Sequence, residues 1–399
     1  MNALHYVTAQ LARRPLQTAL SILLLALGVA TLVFVLLVQN QMTRNLTRDA
    51  AGVDMVVGAK GSPLQLILSA VYHVDVPTGN VPLSAVETLR ANKLVASAMP
   101  LSLGDNYRGF RIVGAEPALL AHYGGTLAQG ALWQGRLQAV IGAEVARTTG
   151  LTVGGAFFGA HGLSADGPVH DDAEYRVVGV LAPTGTVLDR LVLTDLESVW
   201  FVHEGEATDP TEREILMAER EVTAILVRYA SPLAAAILPR QVNADPKLQA
   251  AVPANEVARL FAVVGAGIDT MRAFAAILFG AALLALFVAL MNALEERRYD
   301  IAILRLLGAS RARVAALLLL EAWMLAAAAL LLGVLLAMVG VAVVGQWLAQ
   351  ARSFPLSPFD WPAEVGLVLL LAAGVATLAA LLPAWRASRM QVHDALAQG

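Results

Sequence analysis

The chain contains no cysteine in 399 residues, so disulfides and thiolate metal sites are excluded. Charge is also scarce: Asp, Glu, Lys and Arg make up 15% of residues against 57% hydrophobic ones. With a mean hydropathy of +0.64, this composition is too apolar for an ordinary soluble domain and points to a membrane protein. No G-x-x-x-x-G-K-[ST] run occurs, and the stretch Gly58-Ala59-Lys60-Gly61-Ser62 has the wrong spacing for a phosphate loop. G-x-S-x-G and H-E-x-x-H are missing too, and Ser69 and His73, four residues apart, have no evident third group. The chain is therefore not expected to be an enzyme, to hold a cofactor or to bind nucleic acid.

What is abundant is long apolar sequence. Four segments are long enough to cross a hydrocarbon core of about 30 Å. Residues 16–38, 274–294 and 365–382 carry no charge, and residues 314–344 carry one acid, Glu321, near their start. The first run is too long for a signal-peptide core and no clean small-residue cleavage site follows it, so an uncleaved anchor is expected. Arginine placement sets the orientation. Arg13 and Arg14 precede the first span, Arg297, Arg298, Arg305, Arg311 and Arg313 lie between the second and third, and Arg386 and Arg389 follow the fourth. The loop 345–364 holds only Arg352. The termini (1–15 and 383–399) and the loop 295–313 are thus expected in the cytoplasm, and the insert 39–270 outside. That insert has 17 Lys+Arg and 24 Asp+Glu, a net −7, whereas the rest of the chain is +4.

The insert reads as α+β. Its polar start, 39–52, continues the first span as a helical stalk, and 256–271 mirrors it on the way into the second. A strand is expected over 54–57, followed by a helix over 64–74 with Ser62 as N-cap and Pro63 at the first position. A second helix is expected over 83–93, capped by Ser84. Short strands follow at 109–113, 138–141, 175–180, 191–193 and 224–228. Turn-rich tracts at 150–155 and 159–168 suggest a small β subdomain, and 183–190 reads as a hairpin turn between two strands. Residues 199–221 are acidic and helix-prone.

The most informative stretch is cytoplasmic. Residues 295–310 contain no helix breaker before Gly308, which suits a C′ position. At 100° per residue, Tyr299, Ile303, Leu306 and Leu307 share one apolar face, able to rest on membrane or neighbouring spans. Arg297, Arg298 and Arg305, interleaved with Ile301 and Leu304, fall opposite and offer cations around apolar knobs, a composition suited to a protein groove. Anionic lipid is the other ligand such a face fits.

The run Glu296-Arg297-Arg298-Tyr299-Asp300-Ile301-Ala302-Ile303-Leu304-Arg305-Leu306-Leu307-Gly308-Ala309 resembles the signature that follows the second span of FtsX-like permeases, E-R-x-x-E-I-A-x-L-R-x-x-G-A. Asp300 stands for the usual Glu and keeps the charge. The tail Pro383-Ala384-Trp385-Arg386-Ala387-Ser388-Arg389, continued by Ala395-Leu396, is similar to the family's second signature, with Val392 where a proline is common. Ile141-Gly142-Ala143-Glu144-Val145-Ala146 and Gly150-Leu151-Thr152-Val153-Gly154 resemble stretches of MacB-like periplasmic domains. The resemblance implies a membrane protein of four transmembrane α-helices, with a large MacB-like α+β periplasmic domain inserted between helices 1 and 2 and an FtsX-like permease region over 271–393.

It further implies the permease subunit of a type VII ABC transporter in the bacterial inner membrane. Such a subunit pairs with a second permease copy and couples ATP hydrolysis on a separate ATPase chain, where ATP and magnesium bind, to motion of the periplasmic domain. The cargo would be a lipophilic or periplasmic substrate and the outside partner an adaptor or lipoprotein. Glu296, Arg297, Arg298, Asp300, Ile301, Leu304 and Arg305 are the expected ATPase-docking residues. FtsX-like control of a periplasmic enzyme and metal-linked uptake are the alternatives.

The metal alternative rests on His161, His170, Asp171, Asp172 and Glu174, close in sequence on a Gly-rich loop, with His203, Glu204 and Glu206 able to add ligands. A solvated polar loop would look the same. Glu321, beside Trp323, is an intramembrane or near-membrane carboxylate with a headgroup-level or interhelical role. Ala26 and Ala30 in the first span, and Gly333 and Ala337 in the third, have the spacing that lets helices approach closely.

Overall fold

The computed structural model describes residues 3–162, 169–204, 220–296, 298–350 and 356–389. They divide into two compact units, one of Met1–Met42, Val264–Leu348 and Pro355–Gly399, the other of Thr43–Val263 and Ala349–Phe354. In chain order, α1 (Ala3–Ala12) and α2 (Pro15–Asp49) lead into β1 (Met55–Ala59), α3 (Pro63–Ala70), β2 (Val81–Pro82), α4 (Ser84–Arg90), β3 (Val95–Tyr107) and β4 (Phe110–Ala115). Next come α5 (Ala118–His122), β5 (Leu127–Gly130), β6 (Gln138–Ile141), α6 (Ala143–Thr149), β7 (Ala156–His161) and β8 (Val169–Leu181). A 3-10 turn at Val187–Arg190 precedes β9 (Val192–Thr194), α7 (Leu196–Glu204), β10 (Glu221–Val222) and β11 (Ala224–Tyr229). The last described elements are α8 (Pro232–Asn243), β12 (Leu248–Ala251), α9 (Pro253–Glu296), α10 (Arg298–Leu306), α11 (Arg311–Gln350) and α12 (Ala363–Arg389).

Four helices, α2, α9, α11 and α12, are long and apolar enough to cross a membrane, and the α+β region lies in sequence between the first two. Their shared core is built largely of small side chains: Ala26, Ala282, Ala322, Ala326, Ala329, Ala376 and Ala380 are buried together with Leu25, Leu286, Leu290 and Leu325. Lipid tails are as apolar as leucine, so helices in a bilayer gain by close van der Waals contact rather than by escaping water. Gly333 is the extreme case. A Cβ placed there would stand 2.7 Å from the Ala26 carbonyl oxygen and 2.9 Å from Val29 Cβ. Of the small residues singled out in the first and third spans, Ala26 and Gly333 thus meet.

The second unit is a mixed sheet in the order β12-β1-β11-β3-β4-β9-β6-β8-β5, and β7 pairs with both β3 and β8. Those pairings carry β3, β4, β9, β6, β8 and β7 round a closed ring, the small β subdomain. One cluster holds Leu66, Ile67 and Tyr72 against Leu101, Val113, Leu188 and Leu226. A second holds Val86, Leu89 and Leu238 against Met55, Val57, Ile225 and Val227. In the ring, the Phe157 and Tyr175 rings stack with centroids 5.3 Å apart.

Local chemistry explains several elements and corrects others. Ser62 accepts a hydrogen bond from Gln65 N and Pro63 opens α3, as the Ser-Pro pair implies. The helix stops at Ala70 and not at 74, because His73 turns into left-handed backbone at φ +56°. Ser84 is the first residue of α4 and makes no side-chain cap, Leu83 standing at the N-cap. The segment 183–190 is not a hairpin connection: β8 and β9 are separated by β6, which pairs with both. The long strand β3 escaped the sequence reading because small residues and Pro100 interrupt its pattern. Pro100 is tolerated because it pairs with Ile225 on β11, whereas the pairing with β4 starts only at Leu101. Of the acidic stretch 199–221, its start lies in α7 and residues 205–219 lie outside the described ones.

Candidate functional site

The segment between the second and third spans folds as the short helix α10. Its end is a Schellman motif: Ala309 N donates to Leu304 O at 2.9 Å and Gly308 N to Arg305 O at 3.1 Å, with Gly308 at φ +94°. Ser310 then opens α11, its Oγ accepting from Arg313 N at 3.3 Å. A glycine stop followed at once by a serine start lets the chain reverse within a few residues.

On α10 the chain itself covers Ile301, from the strip read together with the arginines, and leaves the strip of Tyr299, Ile303, Leu306 and Leu307 open to membrane or partner. Ile301 is 5% exposed and packs with Leu294, Val314, Leu318, Ala384 and Ala387, and Ala302 is buried as well. Tyr299, Ile303, Leu306 and Leu307 stand exposed, Leu307 at 80%. The wheel shows two apolar strips, and periodicity does not say which one the rest of the chain covers. The answer lies in Ala384 and Ala387, 83 and 86 residues beyond Ile301, whose small side chains make room for it. The two sequence signatures thus pack on each other. Leu304 and Arg305 are half-buried. Arg297, and the side chains of Arg298 and Asp300, lie outside the described residues.

Glu296, the last residue of α9, forms an ion pair with Arg14, which precedes α2. Arg14 also lines a cavity of about 30 Å³ in which Gln10, Gln17, Thr18, Ser21 and Glu321 meet the apolar Leu11, Ala289, Leu290 and Leu325. Glu321 is 5% exposed, so it is packed among the helices. Trp323 turns elsewhere and donates to Thr377 Oγ1 at 3.0 Å.

In the α+β unit, His161 sits on β7 with Nδ1 3.3 Å from Asp105 Oδ1. Asp105 lies on β3, so sequence reading had no means of pairing the two. His170, Asp171 and Asp172 fall on β8, with side chains outside the described ones. Among the described residues no group of three or more His, Cys, Asp or Glu side chains is close enough to hold a metal ion.

Sequence reading also missed a clamp on the last turn of α2. Arg190 donates to Asp49 Oδ2 at 3.1 Å in a buried ion pair. Tyr72 OH donates to Leu46 O at 3.1 Å, Tyr123 OH to Asp49 O at 2.9 Å, and His122 Nε2 lies 3.0 Å from Ala51 O. Asp189 fixes the preceding turn by accepting from Thr184 N and Gly185 N at 2.8 and 2.7 Å. Beside this clamp, burial and the nearby Arg111 and Arg190 charges push His73 down to about 3, so its ring is neutral. Burial likewise pushes Arg111 down, to about 10.

The FtsX-like permease C-terminal family matches residues 272–392, and the MacB-like periplasmic core domain family matches residues 18–244. Among solved structures, the periplasmic region of MacB from Actinobacillus actinomycetemcomitans is similar at 13% identity and a TM-score of 0.34, over 54% of this chain and 95% of that one. The extracellular domain of the noncanonic ABC-type transporter YknZ from Gram-positive bacteria is similar at 11% identity and a TM-score of 0.30, over 49% of this chain and 98% of that one. No curated protein matches. The MacB-like match spans more than half of the chain and the FtsX-like match its permease end, and the chain therefore belongs to the MacB/FtsX-like family of ABC transporter permeases.

Proposed function

We propose that this chain is the membrane subunit of a type VII ABC transporter. It converts ATP hydrolysis on a separate chain into motion of its outside domain, to extract or export a lipophilic or periplasmic substrate. The observation that carries this reading is α10. It is anchored by Ile301 against the chain's own fourth span, yet leaves Tyr299, Ile303, Leu306 and Leu307 uncovered. Four large apolar side chains exposed in a segment rich in arginine fit a protein groove better than water. Leu304 and Arg305 are half-buried on the same helix, the sequence adds Glu296, Arg297, Arg298 and Asp300 as docking candidates, and Ile301 supports the helix from behind.

The continuity of α2 from Pro15 to Asp49 and of α9 from Pro253 to Glu296 supports transmission, since an unbroken helix moves as a rod. Arginine placement supports an inner-membrane orientation with both termini and α10 in the cytoplasm. A second permease copy and a periplasmic adaptor or lipoprotein complete the assembly. FtsX-like control of a periplasmic enzyme would use the same docking and differ only in the outside partner. The test is co-purification. Arg298→Glu with Arg305→Glu abolishes capture of the ATPase while the chain still inserts in the membrane, and unchanged capture contradicts the docking.

A further inference from the structure

We propose that Arg14 is a positioning residue that ties displacement of the α10 segment to α2. It does so through Glu296 on one side and the cavity it shares with Glu321 on the other. The inference rests on the docking reading, because it takes α10 as the place where the ATPase pushes.

Helix electrostatics make the contact directional. Thr18 N donates to Arg14 O at 3.0 Å, which places Arg14 at the N-cap of α2 with Pro15 as the first helical residue. The N-terminal end of a helix carries partial positive charge and the C-terminal end partial negative charge. The Arg14 cation is therefore at the wrong end of its own helix, and the Glu296 carboxylate at the wrong end of α9. Each is at the right end of the other's. Their ion pair satisfies both helix ends at once, and separating α9 from α2 leaves each charge against its own helix. The Glu296 side chain is 60% exposed and that of Arg14 25%, so the ion pair alone is worth little, and the charges of the two helix ends add to it.

The second half of the guanidinium has a different setting. Arg14 Nη1 is buried with no hydrogen-bond partner among the described residues. Buried polar groups normally have one. The cavity that Arg14 lines offers the Glu321 carboxylate and the side chains of Gln10, Gln17, Thr18 and Ser21, and at about 30 Å³ it has room for a water molecule. Arg14 thus pairs with one carboxylate on α9, at the edge of the docking segment, and shares a cavity with another on α11. A shift of Glu296 that pulls on the guanidinium moves the start of α2, and Glu321 gives the cation a second place to rest. In this assignment Glu296 works within the chain and not on the ATPase.

The experiment uses the full chain co-expressed with its ATPase and purified as the complex. Arg14→Gln leaves ATPase capture unchanged and lowers kcat for ATP hydrolysis by about fivefold or more, the lower end of typical coupling. KM for ATP stays constant, because the nucleotide site is on the other chain. Arg14→Lys keeps the cation and recovers most of kcat, and the exchange Arg14→Glu with Glu296→Arg recovers part. An Arg14→Gln complex that turns over ATP like the parent overturns the proposal. So does a loss that neither Arg14→Lys nor the exchange repairs, which marks the contact as structural only. If the unaltered chain captures no ATPase, it is the docking reading that fails.

Discussion

The two units bury their cores by different means. The α+β unit fills its interior with large side chains, Tyr72, Tyr175, Phe110, Met55 and Leu66 among the most enclosed, and closes the end of α2 with a buried ion pair. The helical unit is packed on alanines and on close glycine contacts such as Gly28 against Phe279 and Gly333 against Ala26, and places a cluster of polar groups at the N-terminal end of α2. In the first, burial of apolar surface from water supplies the stability. In the second, no water is displaced between helices in the bilayer, and what counts is how closely backbones approach. The same substitution should therefore have opposite consequences in the two units: removing atoms damages the first, adding them damages the second.

The largest effect is expected at the clamp. Arg190→Ala leaves the Asp49 carboxylate buried and unpaired, at a cost of about 3–5 kcal/mol. Hydrogen exchange of the β6 and β8 amides in the full-length chain should register it, and the double replacement Asp49→Leu with Arg190→Met should cost less. Equal losses would mean that packing at this point outweighs charge. A smaller effect, about 1–3 kcal/mol, is expected when Gly333→Val drives a side chain into Ala26 and Val29, read as protease sensitivity of the helices in detergent. Gly280→Val is the reference for that comparison. Nothing lies within 4 Å of a Cβ at Gly280, so it should be silent; equal sensitivity of the two variants would remove the close-approach argument.

How much of this was legible in sequence follows the range of the interactions. The four spans were legible because apolar runs long enough to cross a bilayer, with at most one charge each, rarely occur in water-soluble folds. The end of α10 was legible because Gly308 acts on neighbours within five residues. Ser62 and Pro63 were legible for the same reason, whereas Ser84 was misassigned by one residue because a serine fits the first turn of a helix as well as its cap. Sequence pattern failed wherever a partner is remote. The burial of Ile301 depends on Ala384 and Ala387, the pairing of Asp49 on Arg190, and that of His161 on Asp105 in a strand that Pro100 disguised. Periodicity reports that a face is apolar; only the fold says what lies against it.

In the proposed function, ATP on a separate chain moves the outside domain of this one. The lack of native cysteine allows spin labels to be placed without background, at Lys93→Cys in the domain and Glu364→Cys at the start of α12. In the membrane-reconstituted complex, electron–electron resonance distances between the two labels should shift when ATP and vanadate trap the ATPase, and should stay fixed when Arg298→Glu and Arg305→Glu are added. A distance distribution that is identical with and without trapped nucleotide, in a complex that hydrolyses ATP, would contradict the account.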